Sequence, residues 1–231
     1  MISVEPLSDL DALRRLHRTL LAPSFRPNEL LPEDDFISQF GHDAEALVAR
    51  DASGAVLGLA VSEIATPVVL LQYLVAAPGT RGRGVGSALL SAVLDRWSSD
   101  AGVEVLLAEF DRPDVQSSHP IYGDPEARLR FYARFGALAL DLPYFQPPVS
   151  PDAEREHGML LAVFDADGAG ERRGRLTPEQ SAAVHGYLAT ALTDAADADA
   201  QRLLAAAEAP AGIVVRALDR YQEVPLSRPP R

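Results

Sequence analysis

Residues 70–97 read LLQYLVAAPGTRGRGVGSALLSAVLDRW, a run in which three kinds of local structure follow one another. Leu70 to Ala77 is a short apolar segment of the length and composition of a buried strand. Pro78, Gly79 and Thr80 signal a turn. Arg81-Gly82-Arg83-Gly84-Val85-Gly86 is spaced by glycine. Val85, Leu89, Leu90, Val93, Leu94 and Trp97 then recur at helical spacing along one face. A strand feeding a glycine-rich loop that opens a helix suits an anionic phosphate. The unpaired N–H groups of the first turn point at the anion, and the helix dipole favours its charge. Glycines let the backbone come close, where a Cβ would obstruct.

Two phosphate-binding patterns fail here. In the dinucleotide pattern G-x-G-x-x-G, Gly82 and Gly84 fit but the third position is Ser87. The nucleoside-triphosphate loop needs a closing Lys-Ser/Thr pair, and none is present. R-x-x-G-x-G does fit, at Arg81, Gly84 and Gly86. After a strand and before an amphipathic helix, that spacing resembles the acyl-CoA loop of the GNAT superfamily of N-acetyltransferases. An ordinary tight strand–helix connection is the plainer alternative.

Working outward, Ile2 to Val4 reads as a strand. Ser8 is the expected N-cap of a first helix with Leu10, Leu13, Leu16 and Leu20 on one face, in which His17 is read as a partly exposed histidine. Residues 26–42 are expected to hold a second helix, with Pro27 and Pro32 at its start. Ala44 to Ala49 and Val56 to Ile64 read as strands joined at Asp51-Ala52-Ser53-Gly54. Val103 to Phe110 is a further strand, and Arg112 to Asp124 a long loop. Asp124-Pro125-Glu126 opens a helix that Gly136 ends. Ala137 to Phe145 and Gly158 to Phe164 complete the strands. The order β-α-α-β-β-β-α-β-α-β-β is that of a GNAT domain. The resemblance thus implies an α/β fold with a mixed, mostly antiparallel central sheet and helices on both faces, over about residues 1–165.

Residues 166–231 are read as a C-terminal helical extension, packed on that core or on a second subunit. Asp165 to Gly170 begins like a calcium loop, but Ala169 and Leu176 occupy positions that need oxygen ligands, so a flexible linker is expected through Gly174. Thr177-Pro178-Glu179-Gln180 is a capping box opening a helix with Val184, Leu188 and Leu192 on one face. Thr193 to Ala209 reads as helical, Ile213 to Val215 as a strand, and Pro225 to Arg231 as a frayed tail.

The composition sets wider bounds. An apolar fraction of 47% sustains a folded core. No run of eighteen apolar residues occurs, and MISVEPLSDLDALRR lacks the basic start and apolar stretch of a secretory leader. A cytoplasmic protein without a membrane partner is expected. The chain has no Cys, which excludes disulfides, thiolate metal sites and cysteine nucleophiles, and no metal is expected. A net charge of −12 argues against nucleic acid as a partner. Every basic residue is arginine.

The resemblance implies acetyl-CoA as co-substrate and the primary amine of a small molecule or peptide as acceptor; pairing into a homodimer is compatible with it. A non-catalytic acyl-CoA sensor is the alternative. In the family the strand before the loop splays from its neighbour, and its backbone binds pantetheine and the acetyl carbonyl. Here that segment is Leu74, Val75 and Ala76, with Arg81, Gly82, Arg83, Gly84, Val85, Gly86 and Ser87 on the phosphates. The family places thioester and acceptor at the splay beside Val103 to Phe110. Its Y-x-x-x-G-F motif falls on Tyr132 to Ala137, which gives Tyr132 the part of acid toward the leaving thiolate; a phenol with pKa about 10 suits that role. The family's Asn is Pro125 here, and its final aromatic is Ala137. For the general base, Glu109 at a strand end is the first candidate, since partial burial would raise its pKa. Glu63 is second and His119 third, and proton transfer through water needs none of them. Gln72 stands where some members carry a glutamate. Tyr144 and Phe145 are candidate walls of the acceptor pocket.

Overall fold

The computed structural model describes residues 1–80, 82–150, 153–164, 169–193 and 197–228. Two units follow one another along most of the chain, one built from Met1–Val103 and the other from Glu104–Pro148 with the described residues from Ala153 onward.

The first unit runs β1 (Ser3–Pro6), α1 (Leu10–Leu16), a π-helical turn (His17–Leu21), α2 (Glu33–Ser38), β2 (Ala44–Arg50), β3 (Val56–Ala65), β4 (Val68–Ala76) and α3 (Val85–Ser98). Its strands pair antiparallel in the order β1-β2-β3-β4. Alternation along β3 sends Leu59 and Val61 to one face, where they join Leu13, Leu20, Leu21 and Phe36 from α1, the π-helical turn and α2. Gly58 lies on the other face, against Val85 and Leu89 of α3. Helices therefore cover both faces of this sheet. Each fully buried leucine, such as Leu89 and Leu90, contributes about 2 kcal/mol. Trp97 donates its indole N–H to the buried Ser62 hydroxyl at 3.1 Å, which fixes the far end of α3.

Three expectations change in this unit. The N-cap of α1 is Asp9, not Ser8, because its carboxylate accepts from the amides of Asp11 and Ala12 at 2.9 and 3.1 Å. His17 is buried rather than partly exposed. The π-helical turn brings it inward with Leu20 and Leu21, onto the Phe36 ring at 5.0 Å and within 2.9 Å of the Leu31 carbonyl. The second helix shrinks to Glu33–Ser38: Pro32 at its N-cap is extended, and the Leu31 amide is taken by the Tyr73 hydroxyl at 3.0 Å.

The second unit runs β5 (Val105–Asp111), α4 (Pro125–Ala133), β6 (Ala137–Leu140), β7 (Met159–Phe164), α5 (Ala169–Arg173), α6 (Pro178–Ala191), α7 (Ala198–Ala207), β8 (Val215–Ala217) and a 3-10 turn (Leu218–Glu223). Its strands are again antiparallel, in the order β5-β7-β6-β8. The fold class is thus mixed α/β with mostly antiparallel strand pairing. Strand β6 stops at Leu140 instead of continuing to Phe145. Leu142 N–H donates to Leu140 O and Tyr144 N–H to Leu142 O, both at 2.8 Å, and these tight turns curl the chain off the ladder.

Residues beyond Phe164 carry much of this unit. The capping box on α6 forms, with Thr177 Oγ1 accepting from Gln180 N–H and Gln180 Oε1 from Thr177 N–H. Val184, Leu188 and Leu192 are buried. The expected strand lies slightly later, at Val215–Ala217, where Leu140 faces Val215 and Leu138 faces Ala217. Within the expected linker, Ala169–Arg173 is helical; residues 165–168 lie outside the described residues. The tail is not frayed through Arg228. Val224 O accepts from the buried Arg112 at 2.7 Å, Ser227 O from Arg202 at 2.8 Å, Ser227 Oγ and His157 Nδ1 share a hydrogen bond of 2.8 Å, and Arg228 donates to Asp199 at 3.0 Å. Residues 229–231 lie outside the described residues.

Candidate functional site

Strand β4 does not run regularly into the glycine loop. Tyr73 faces Val61 and Leu71 faces Ser62, so Gln72 is an extra residue, a bulge that bends the strand. Its side-chain carbonyl accepts from the Gln39 amide at 3.2 Å. Beyond it Leu74, Val75 and Ala76 face Ala60, Leu59 and Gly58 of β3.

The loop is then held by main chain and one hydroxyl. Ala77 N–H donates to Leu57 O at 2.8 Å, Thr80 N–H to Ala77 O at 3.0 Å, and Arg83 N–H to Thr80 O at 3.2 Å. The buried Thr80 hydroxyl lies 2.7 Å from Ala77 O and 3.2 Å from Leu57 O. Gly79, Gly82 and Gly84 have φ of +78°, +78° and +83°, the region that disfavours a side chain. A Cβ on Gly82 or Gly84 would meet nothing within 4 Å, so conformation rather than crowding inside the chain requires glycine there. Gly84 caps α3 without a side-chain acceptor, and the first intrahelical bond runs from Ala88 N–H to Gly84 O. The amides of Val85, Gly86 and Ser87 precede that bond and need partners from elsewhere. Val85 is buried and pins the turn, while Gly82, Arg83 and Gly84 are exposed. Arg81 lies outside the described residues.

Two residues essential to this geometry escaped the sequence reading. A Cβ on Gly58 would come within 2.6 Å of Val75 O and 2.8 Å of Val85 Cγ1, so only glycine lets α3 start this close to the sheet. A lone glycine inside a strand is the signal that marks such an approach. Thr80 gave no signal beyond its place after Pro78-Gly79.

In the second unit Asp124 caps α4 by accepting from Glu126 N–H at 3.0 Å, with Pro125 at the first helical position. Two turns on, Tyr132 is buried, its ring stacked on Phe110 at 5.0 Å and 19°, with Phe131 and Phe164 edge-on at 5.3 and 6.0 Å. Burial pushes the phenol's pKa up and the Arg128 charge opposes it. Glu109 precedes Phe110 in a regular ladder with β7, so the two side chains leave β5 on opposite faces. The structure therefore does not bring Glu109 and Tyr132 together on one face. Glu109 instead accepts a hydrogen bond from the Tyr144 hydroxyl. Tyr144 and Phe145, considered as pocket walls, are buried; Phe145 packs on His157 and under Arg155. His119 closes its own turn, Nδ1 accepting from the amides of Ile121 and Tyr122 at 3.2 and 3.4 Å with the ring stacked on Tyr122. Glu63 sits on β3 opposite Leu70. Among the described residues no group of His, Asp and Glu could hold a metal ion, and no helix is long and apolar enough to cross a membrane.

Residues 12–137 match the model of the family described as the acetyltransferase (GNAT) family. The chain belongs to the GNAT acetyltransferase family. A solved protein from Bacteroides thetaiotaomicron, described as a GNAT-family acetyltransferase, is 18% identical over 74% of this chain and 92% of its own, with a TM-score of 0.55. An IAA acetyltransferase from Bacillus cereus is 16% identical over 71% of this chain and 99% of its own, with a TM-score of 0.48. At these identities the first likeness speaks for the fold alone. No curated protein matches the sequence.

The GNAT match ends at Ala137, so β7 and all that follows lie beyond it. Of the two departures from the GNAT motif, Pro125 is the buried first residue of α4, and Ala137 is buried as the first residue of β6.

Proposed function

We propose that this GNAT protein is an N-acetyltransferase that moves an acetyl group from acetyl-CoA to the primary amine of a small molecule or peptide. The start of α3 carries this reading: a fourteen-residue helix opens on amides with no intrahelical acceptor, behind glycines held at positive φ. The amides of Val85, Gly86 and Ser87 suit the CoA phosphates, behind Gly82 and Gly84, with Arg81 and Arg83 adding charge. Leu74, Val75 and Ala76 lead from the bulge at Gln72 toward that loop and are the segment assigned to pantetheine and the acetyl carbonyl.

In the reaction the amine nitrogen bonds to the acetyl carbon, the carbon–sulfur bond breaks, and the sulfur leaves with its electron pair. One proton leaves the nitrogen and one reaches the sulfur. Tyr132 is the proposed donor to sulfur, since burial keeps its phenol protonated at neutral pH. Glu109 is the proposed base, with Tyr144 holding its carboxylate in one orientation. Because Glu109 leaves β5 on the face opposite the Phe110 that carries the Tyr132 ring, the proton from the nitrogen would reach it through water. The acyl-CoA sensor remains the second reading because Pro125, which has no N–H, stands where the family has Asn.

Calorimetry with CoA, and thiol release on a panel of primary amines, test both parts. Gly84→Val forces a β-branched residue to φ +83° and displaces the first-turn amides, so CoA affinity should fall at least about tenfold. Wild-type affinity in the folded variant would overturn the loop assignment. CoA binding without thiol release on any amine would favour the sensor.

A further inference from the structure

Arg128 stands one helical turn before Tyr132 on the same face of α4. Its guanidinium is fixed at two points: Nη1 donates to Asp111 Oδ2 at 3.2 Å and Nη2 to the Tyr122 carbonyl at 2.7 Å. Asp111 is almost wholly buried at the end of β5, directly after the Phe110 that stacks on Tyr132. Consecutive residues of β5 thus engage consecutive turns of α4, one through a ring and one through a charge. We propose that Arg128 is a positioning residue for Tyr132: anchored to Asp111 and Tyr122, it sets the placement of the phenol and holds a fixed positive charge beside it.

The fold alone gives little reason for this pair, since a partly buried ion pair is often no more stabilising than an apolar contact. Its position relative to the phenol does. The Tyr132 ring is enclosed by Phe110, Phe131 and Phe164, surroundings in which a nearby charge is weakly screened. A positive charge there favours the form of the phenol that has given up its proton, opposing the effect of burial. The other charges nearby are placed differently. Glu109 leaves the opposite face of β5. Arg130 pairs with Glu126 on α4, and Arg134 lies over Phe131. On the 3-10 turn Asp219 and Arg220 are exposed and Glu223 pairs with Arg216.

The link to catalysis rests on the reading of Tyr132 as the acid; the electrostatic effect does not. A fluorinated tyrosine of lowered intrinsic pKa, placed at position 132 of the full chain, reports its own ionisation by fluorine NMR. In Arg128→Gln the midpoint is expected to rise by about half a unit or more. In Arg128→Lys, which keeps the charge, it should move by less than half as much. Equal midpoints in wild type and a folded Arg128→Gln variant would reduce Arg128 to a structural brace and overturn the proposal. If Arg128→Gln fails to fold because it leaves the buried Asp111 unpaired, the comparison is made between Asp111→Asn and Asp111→Asn combined with Arg128→Gln, which differ only in the arginine charge. A higher midpoint in the double variant supports the proposal and equal midpoints overturn it. Separately, undiminished turnover in Tyr132→Phe would remove the acid role while leaving the midpoint comparison to decide the role of Arg128.

Discussion

The glycine loop of the first unit and the tail of the second are both irregular segments held in one shape, by different chemistry. Between β4 and α3 the chain is held by main-chain bonds, the Thr80 hydroxyl and glycines at positive φ. From Val224 to Arg228 it is held by side chains reaching in from elsewhere in its unit: Arg112, His157, Arg202 and Asp199. The first kind of fastening is insensitive to pH and charge, and its residues are neighbours in sequence. The second depends on ionisation, and its partners are scattered over the chain.

The largest effect is expected at Arg112, which is 2% exposed and donates to both Asp114 and Val224 O. Arg112→Met strands the carbonyl and the carboxylate, at a cost of about 3 kcal/mol. Urea unfolding should show that loss, together with faster tryptic cleavage of the tail. A variant as stable as wild type would mean that the tail rests on packing.

In the loop the corresponding test is Gly58→Ala. Its Cβ would approach a backbone carbonyl at 2.6 Å, which cannot swing aside as a side-chain tip can. A cost of about 2 kcal/mol is expected, with weaker CoA binding because the first turn of α3 is pushed outward. Full stability and affinity would show that the sheet yields more readily than its main-chain bonds imply.

The smallest effect separates the two by pH. Burial, with help from Arg228 and Arg155 and against Asp199 and Asp197, holds the His157 imidazole below its ordinary value of 6.5. The unfolded chain therefore binds the extra proton first on acidification. The contribution of His157 to stability is complete above about pH 6.5 and is lost as pH falls from there through the folded-state value. Limited proteolysis should find the tail cut faster across that window, and His157→Gln should flatten the profile. The glycine loop should keep its protection. A tail with no pH dependence would put His157 outside the fastening.

This contrast also explains what could be read in advance. The β4–loop–α3 unit, the Asp124 cap and the Thr177–Gln180 box are local codes, legible because each residue acts on a neighbour a few positions away. The buried His17, the six-residue α2 and the early end of β6 were not legible. The first two depend on a partner distant in sequence, Phe36 and Leu31 for His17 and Tyr73 for the start of α2, whereas β6 ends in the tight turns at Leu142 and Tyr144, which the apolar run through Phe145 concealed. The candidate site divides in the same way. The loop residues announced themselves by spacing, whereas Gly58 works through contact with a carbonyl seventeen positions on, at Val75. Tyr132 was visible through its motif, but Arg128 belongs to no motif and matters only through Asp111 and Tyr122.

Strand β1 pairs with β2 and, among the described residues, shows no other strand partner. It is only four residues long, ends on Pro6, and carries Glu5 bonded to Arg50. A proline cannot donate to an incoming strand, and a charged side chain beside the free edge discourages docking. This border is therefore a poor template for growth by strand addition. At high concentration or during refolding, this rim of the first unit should resist fibril formation, whatever the surrounding sequence does.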